Sequence, residues 1–272
     1  MGTLIESTNR FNVFVFDLEY IGVPNSLEEC YIWEIAAIHL LSGRSFSVTI
    51  DPGIRPLPER MGEEFADVTE SFLKEKMAVP FETGWAMFLQ FLQSYEPVLL
   101  ISHNNFKSDK LMLEIEAKRR KVHLPYTWYF MDSLLFCRKA IPKQTSYTLK
   151  DLYRSIHGKE IVNNHSALPD AKALADILYY IGLGRISGPI YPSYCTSLQV
   201  VKWLGPACER MLFQNNVRSL EQLVANVVSG FHGSRYPLRQ YIQYYINNLC
   251  GMNIGNSSSI AKSIAEKWLP HV

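Results

Sequence analysis

The stretch that decides the fold reads Asn12-Val13-Phe14-Val15-Phe16-Asp17-Leu18-Glu19. A continuous apolar run that ends in an acid is typical of a buried central strand whose C-terminal end presents a carboxylate. Asp17 and Glu19 are two residues apart, so a strand places both carboxylates on one face, close enough to repel each other. Mg²⁺ or Mn²⁺, which bind hard oxygen ligands, would relieve that repulsion. The alternative is a solvated strand end that binds no metal.

The segments that follow this strand alternate between strand and helix patterns. Two apolar runs, 33–40 and 44–50, flank Ser42-Gly43 and predict a hairpin. Further on, apolar runs predict two more strands and helical spacing predicts four helices, at 97–101 and 126–131 for the strands and at 82–95, 109–121, 149–156 and 168–181 for the helices. Three strands followed by alternating helices and strands predict an α/β fold in which helices pack on a mixed sheet.

The charges of the chain divide it into two parts. All 272 residues together have a net charge of +1, with 27 Lys and Arg against 26 Asp and Glu. Residues 1–184 hold 19 basic and 23 acidic residues, a net −4, whereas residues 185–272 hold 8 and 3, a net +5. The segment 182–192 between them contains three glycines and two prolines, which is typical of a connection. We therefore predict an acidic α/β domain, 1–184, and a small basic all-α domain, 185–272.

The sequence also bears on the cellular compartment of the protein. No run of 18 apolar residues is present, so we expect no membrane span, and the N-terminus lacks the pattern of a signal peptide. The five cysteines form no CxxC pair, which favours reduced thiols. We expect an intracellular protein, cytoplasmic or nuclear and not secreted.

Two further acids lie where predicted helices begin. Asp109 follows the strand at 97–101, and Asp170 falls in the first turn of the helix that Pro169 helps to start. Each is also explained as an acid that is favourable at a helix N-terminus. His165 lies five residues before Asp170 in a polar loop, where a histidine is usually solvated.

Taken in order, these segments resemble the three motifs of the DEDDh exonuclease superfamily, which includes the proofreading subunit of bacterial DNA polymerase, the three-prime repair exonucleases and oligoribonuclease. The resemblance covers residues 11–184. It rests on the acids already quoted, with Trp33-Glu34-Ile35-Ala36-Ala37-Ile38 as the second strand, Asp67-Val68-Thr69-Glu70-Ser71-Phe72-Leu73 as a helix start, and His165-x-Ala167-x-x-Asp170-Ala171 as the third motif. The resemblance implies an RNase H-like fold with a five-stranded mixed sheet.

The same resemblance implies an activity and a set of site residues. It makes Asp17, Glu19, Asp109 and Asp170 ligands of two divalent cations, Mg²⁺ or Mn²⁺, and His165 the general base. The implied reaction is hydrolysis from a nucleic-acid 3′ end, which releases nucleoside 5′-monophosphates, with DNA slightly favoured over RNA. The alternative is a catalytically inactive nucleic-acid-binding protein or adaptor that retains the fold.

Around the motifs the sequence departs from the family pattern. Tyr20 and Ile21 stand where a threonine is common, so with Leu18 we expect them to present apolar surface to the terminal nucleotide. Asp109 is six residues from His103 and follows a serine instead of an aromatic residue. We assign His103 and Asn104 an orienting role at the substrate rather than a catalytic one.

The sequence of the basic domain is consistent with two structural interpretations. Residues 201–212 and 217–223 resemble a helix-hairpin-helix module with its turn near Gly205, in which Lys202 and Arg210 would contact phosphates. The alternative is a small helical bundle with a solvated basic face, which could also dock a protein partner. Its tyrosines at 236, 241, 244 and 245 have helical spacing, which more often indicates core than a stacking platform.

Overall fold

The computed structural model describes residues 10–22, 26–57, 68–162, 166–232, 234–250 and 255–270. It divides the chain into two compact units, one that ends at Ser193 and one that begins at Tyr194. Two residues of the sequence motifs, Asp67 and His165, lie outside the described residues.

A mixed sheet forms the centre of the first unit. Its strands are β1 (Asn12–Gly22), β2 (Cys30–His39), β3 (Ser45–Asp51), β4 (Val79–Pro80), β5 (Val98–Ser102), β6 (Trp128–Asp132) and β7 (Tyr191–Pro192). They lie in the order β4-β3-β2-β1-β5-β6-β7. The long strand β1 is central, antiparallel to β2 and parallel to β5. The run at 12–19 therefore occupies the position that its apolar composition predicted.

Helices cover both faces of this sheet. They are α1 (Glu70–Glu75), α2 (Phe81–Gln93), α3 (Asp109–Arg120), α4 (Ser133–Ala140), α5 (Leu149–His157) and α6 (Ala167–Ile181). Adjacent residues of β1 point to opposite faces of the sheet. Phe14 packs edge-on against Phe91 of α2 on one face, and Val15 joins the core cluster that contains Leu174 of α6 on the other. The α/β prediction is confirmed.

The sheet has two more strands than the five predicted. The five long strands agree with the predicted ones to within a few residues, and β4 and β7 are two-residue strands at the two edges. Strands of two residues are too short to show a periodic pattern in the sequence. Their pairing is set by the chain segments that place them against β3 and β6.

The predicted boundary after Gly184 is also corrected, since the first unit continues to Ser193. Ile186 is part of the core cluster that α6 joins. Tyr191 pairs with Phe130 as part of β7 and is buried. The glycine- and proline-rich segment therefore ends in the edge strand β7, and the connection between the units follows that strand.

The described residues of the second unit form four α-helices, α7 (Pro206–Gln214), α8 (Leu220–Phe231), α9 (Leu238–Cys250) and α10 (Ser257–Trp268). Its core consists of fully buried aliphatic side chains from all four helices, which are Leu212, Leu223, Val227, Ile242, Ile246, Ile260 and Ile264. Because Pro206 occupies the first position of α7 and a 3₁₀ turn, Leu198–Val200, precedes it, Gly205 does not lie between two α-helices. Gly205 lies at the N-cap of α7, and the helix-hairpin-helix assignment stays a prediction.

In the described parts of both units, no helix combines the length and the apolar character that crossing a membrane requires.

Candidate metal centre

Three carboxylates converge where β1 meets the start of α6. Asp17 and Glu19 alternate with Leu18 along β1 and so lie on one face of the strand, as the spacing predicted. Asp170 is in the first turn of α6, which packs on β1 and β2. One ligand oxygen from each of Asp17, Glu19 and Asp170 lies within 4.8 Å of the others.

Asp109 lies beside this group and is held by hydrogen bonds. Its carboxylate is 3% exposed and accepts from the backbone N–H of Leu18 at 3.0 Å and from the Ser102 hydroxyl at 2.9 Å. The Leu18 amide is available because the pairing of β1 with β5 runs only from Asn12 to Val15. Asp109 at the start of α3 thus fills the place where the two parallel strands separate.

Burial and neighbouring acids raise the proton affinity of the centre's carboxylate at Asp17. Burial is the largest cause that raises the pKa of Asp17 well above its usual value, followed by the charges of Asp109, Glu19 and Asp170. Burial also raises the pKa of Asp109 to about 6, against the hydrogen bonds from Ser102 and Leu18 that lower it. A cluster of buried oxygens with excess negative charge has the donor set that Mg²⁺ and Mn²⁺ prefer, so these residues fit a divalent-cation site.

Glu34 is a fifth acid beside this centre, and it is buried. Sequence reasoning placed it in the second strand and assigned it no role. It lies on β2 directly opposite Glu19. Its carboxylate accepts from the backbone N–H of Ala167 at 2.9 Å and from the Ser166 hydroxyl at 3.1 Å. Glu34 therefore connects the sheet to the N-terminus of α6. An acid inside an otherwise apolar strand was the signal that could have found it.

The residues next to the first motif differ in how far they are exposed. Leu18 and Ile21 are both buried, and Ile21 packs in a cluster with Trp33, Val68 and Leu73. Tyr20 is partly buried, its hydroxyl lies 3.4 Å from the Ser108 hydroxyl, and burial raises its pKa to about 12. A bulge between Glu19 and Tyr20 shifts the register against β2, so the strand turns where the acids end.

His103 and Asn104 are anchored to neighbouring strands and loops. The two ring nitrogens of His103 lie 2.9 Å from the Ser133 hydroxyl and 2.7 Å from the Tyr147 carbonyl oxygen. Asn104 has a left-handed backbone, and its N–H donates to Asp132 at 3.0 Å. Each of these residues is held in place by the protein, and their orienting role stays a prediction.

The remaining predicted site residues, His165, Lys202 and Arg210, do not belong to the described part of the first unit. His165 falls in the undescribed residues 163–165, directly before Ser166. Lys202 and Arg210 are exposed residues of the second unit. The ammonium group of Lys202 lies 5.5 Å from the ring centroid of Trp203.

The chain and its fold have counterparts among known proteins. The family model described as Exonuclease matches residues 14–178. The nuclease domain of 3′hExo, a DEDDh family member bound to rAMP, matches with a TM-score of 0.53 and 13% identity over 65% of this chain and 96% of that one. A full-length 3′-exonuclease matches with a TM-score of 0.51 and 12% identity over 65% of this chain and 63% of that one. No curated protein sequence matches the chain significantly.

The family match spans more than half of the chain and includes all four acids of the centre, Asp17, Glu19, Asp109 and Asp170. The structural matches agree on the RNase H-like arrangement of strands and helices. The chain therefore belongs to the exonuclease family.

Proposed function

We propose that this nuclease is a 3′-to-5′ exonuclease, which hydrolyses the terminal phosphodiester bond of a nucleic acid and releases a nucleoside 5′-monophosphate. The observation that carries the proposal is the convergence of Asp17, Glu19 and Asp170 within 4.8 Å. A nucleic-acid strand is a polyanion, so a cluster of carboxylates repels it unless cations offset their charge. The centre therefore suits a phosphodiester substrate only together with bound metal.

Asp17, Glu19, Asp109 and Asp170 would hold two divalent cations, Mg²⁺ or Mn²⁺. Such cations, when bound, stabilise the charge on the attacking and leaving oxygens of a displacement at phosphorus. The chain's own contribution is a fixed set of ligands. Asp109 is oriented by Leu18 and Ser102, and Asp170 by its place in the first turn of α6.

We assign the general base to His165. The histidine precedes Ser166, whose hydroxyl donates to Glu34, so the chain next to His165 is tied to the sheet. An imidazole with a pKa of about 6.5 accepts a proton from a water molecule near neutral pH. The substrate is a 3′ end of DNA or RNA, with DNA modestly favoured. Leu18, Tyr20, Ile21, His103 and Asn104 surround the terminal nucleotide in this proposal.

The test is hydrolysis of an oligonucleotide labelled at its 3′ end, in Mg²⁺ or Mn²⁺. We expect release of the labelled mononucleotide first, and a loss of at least about 100-fold in rate for Asp17→Ala and for His165→Ala. Glu75→Ala, which changes an exposed acid of α1, is the matched control. Release from the 5′ end, or unchanged rates in both variants, overturns the proposal. Parallel assays on DNA and RNA of one sequence decide between the two substrates.

The alternative is a protein that kept the fold and binds nucleic acid without cleaving it. Retention of all four acids, three of them within 4.8 Å, argues against it. Tight binding without any turnover in saturating Mn²⁺ would favour this alternative.

A further inference from the structure

One end of α9 carries an exposed surface of aromatic and basic side chains, which we call the aromatic–arginine surface and define as Arg235, Tyr236, Arg239 and Tyr244. Tyr236 is 58% exposed and Tyr244 is 57% exposed. Their ring centroids are 6.3 Å apart, with 25° between the ring planes. At this separation the rings overlap only in part, so much of each face is open to solvent.

The other two tyrosines of this segment are turned towards the interior of the second unit. Tyr241 lies 5.7 Å from the ring of Phe231 on α8 and packs over Gly230, where a Cβ atom would meet the Tyr241 hydroxyl. Burial raises the pKa of Tyr245, whose hydroxyl is bonded to Asn226 of α8. Because α9 meets its neighbours through Tyr241, Tyr245 and its isoleucines, the core does not account for Tyr236 and Tyr244.

The charge around these two tyrosines is of one sign. No Asp or Glu occurs between residues 222 and 265, a stretch that contains Arg235, Arg239 and Lys262. Arg235 and Arg239 are exposed. Within the described residues neither arginine forms an ion pair that would neutralise it. Two open aromatic rings next to uncompensated guanidinium groups are complementary to a ligand that presents both flat bases and phosphates.

We propose that the aromatic–arginine surface binds single-stranded nucleic acid, with bases stacked on Tyr236 and Tyr244 and phosphates at Arg235 and Arg239. A single strand is required because the base faces of a duplex are already stacked on one another. Stacking and phosphate contacts do not read sequence, so the site accepts any base. The inference rests on the proposed function, since it takes the nuclease's substrate class as its ligand. A strand held by the second unit stays at a high effective concentration for the centre on the same chain.

The experiment measures binding by the full chain in EDTA, by fluorescence anisotropy of a labelled 12-mer of thymidylate. Without metal the acidic centre repels the strand and cleaves nothing. We expect the double variant Tyr236→Ala/Tyr244→Ala to bind about tenfold more weakly. The variant Tyr236→Phe/Tyr244→Phe retains both rings and should bind like the wild type. Tyr126→Ala, which removes an exposed tyrosine of the first unit, is the matched control.

A salt titration tests the arginines separately. Each phosphate contact on a single strand contributes about −0.7 to the slope of log K against log salt, so Arg239→Gln should make the slope less steep by about that amount. Unchanged affinity in the alanine variant, no rescue by phenylalanine, or an equal loss for a 12-base-pair duplex overturns the inference. The binding assay requires no hydrolysis, so its outcome is independent of whether the proposed exonuclease reaction is observed.

Discussion

Glu34 shows at the residue scale how a buried acid is accommodated beside other acids. Like charges directly opposite on neighbouring strands destabilise a sheet, and Glu34 faces Glu19 across β1 and β2. The Glu34 carboxylate turns to the N-terminus of α6, where it accepts from Ala167 and Ser166. That end of a helix carries a partial positive charge, which stabilises a carboxylate. The interaction fixes α6, and therefore Asp170, against the sheet.

We expect Glu34→Ala to lower the free energy of unfolding by about 1–3 kcal/mol, because it leaves a buried amide without its acceptor. Relief of repulsion offsets only a small part, since Glu34 is the weakest of the charges that raise the pKa of Asp17. The rate of hydrolysis should fall as Asp170 loses its support. Urea unfolding and the 3′-end assay measure the two effects. Wild-type stability and rate would contradict this role for Glu34, and Glu75→Ala is again the control.

The surroundings of His103 determine which ring nitrogen carries the proton and how readily the ring takes up a second one. A carbonyl oxygen only accepts, so Nε2 carries the proton that is donated to Tyr147, and Nδ1 then accepts from the Ser133 hydroxyl. Burial lowers the pKa of His103, and the charge of Arg138 lowers it further. The unfolded chain therefore takes up a proton near pH 6.5 that the folded protein resists.

The lowered pKa of His103 makes the folded protein less stable as the pH falls. Below about pH 6.5 the unfolded state binds more protons at this site, so stability is lost as the pH falls from 7.5 to 5.5. We expect His103→Gln to lose less stability than the wild type over this interval. The measurement is urea unfolding at both pH values. The exposed His123→Gln is the control and should follow the wild type. An identical pH dependence in the His103 variant would refute the assignment.

At the scale of elements, Gly22 marks a place where β1 and the start of β2 approach closely. A Cβ atom on Gly22 would meet the backbone oxygen of Glu29 and would lie 2.6 Å from the Cα atom of Cys30. Both are backbone atoms, which cannot rotate away. We expect Gly22→Ala to force the strands apart next to the bulge and to cost about 1–3 kcal/mol of stability. Thermal unfolding measures the loss. Gly184→Ala, where a Cβ meets nothing within 4 Å, should remain close to wild type.

Sequence reasoning succeeded for elements whose own pattern is strong. The apolar run of β1 and the hairpin around Ser42-Gly43 are formed as predicted. It missed α4, an eight-residue helix that begins immediately after β6 and whose N-terminus is capped by Asp132. It also identified Asp109 as an acid at a helix start but not its bond to Leu18, which is 91 residues away. Such contacts depend on where two strands separate, and local spacing carries no information about that point.

For the molecule as a whole, the near-neutral net charge conceals two units of opposite sign. Residues 1–193 have a net −3 and residues 194–272 a net +4. The acidic excess includes the four carboxylates of the centre and Glu34, which are all in the first unit. The basic excess lies mainly in the second unit, where α9 presents its arginines. Binding of a polyanion should therefore depend on metal at the centre and on salt concentration at the helices.

The connection between the units gives a prediction about where the nuclease fold ends. Ile186 and Tyr191 follow the glycine-rich turn, yet both are buried, and the ring of Tyr191 packs on Phe106 with 4.9 Å between centroids. Phe106 precedes the start of α3, which carries Asp109. A chain that ends at Ser193 should keep this packing and unfold cooperatively. One that ends at Gly184 exposes Phe106 and the edge of β6, and should be less stable by at least about 3 kcal/mol.

Thermal unfolding of the two truncated proteins measures this difference. In the full chain, Tyr191→Ala removes the ring while it retains the backbone pairing of β7 with β6, and so separates the two contributions. We expect this variant to fall between the two truncations in its loss of stability. Equal midpoints for the chains that end at Gly184 and Ser193 would mean that residues 185–193 do not support the fold. If the chain that ends at Ser193 alone is stable, the first unit folds without α7 to α10, and the stability of the centre does not depend on the C-terminal helices.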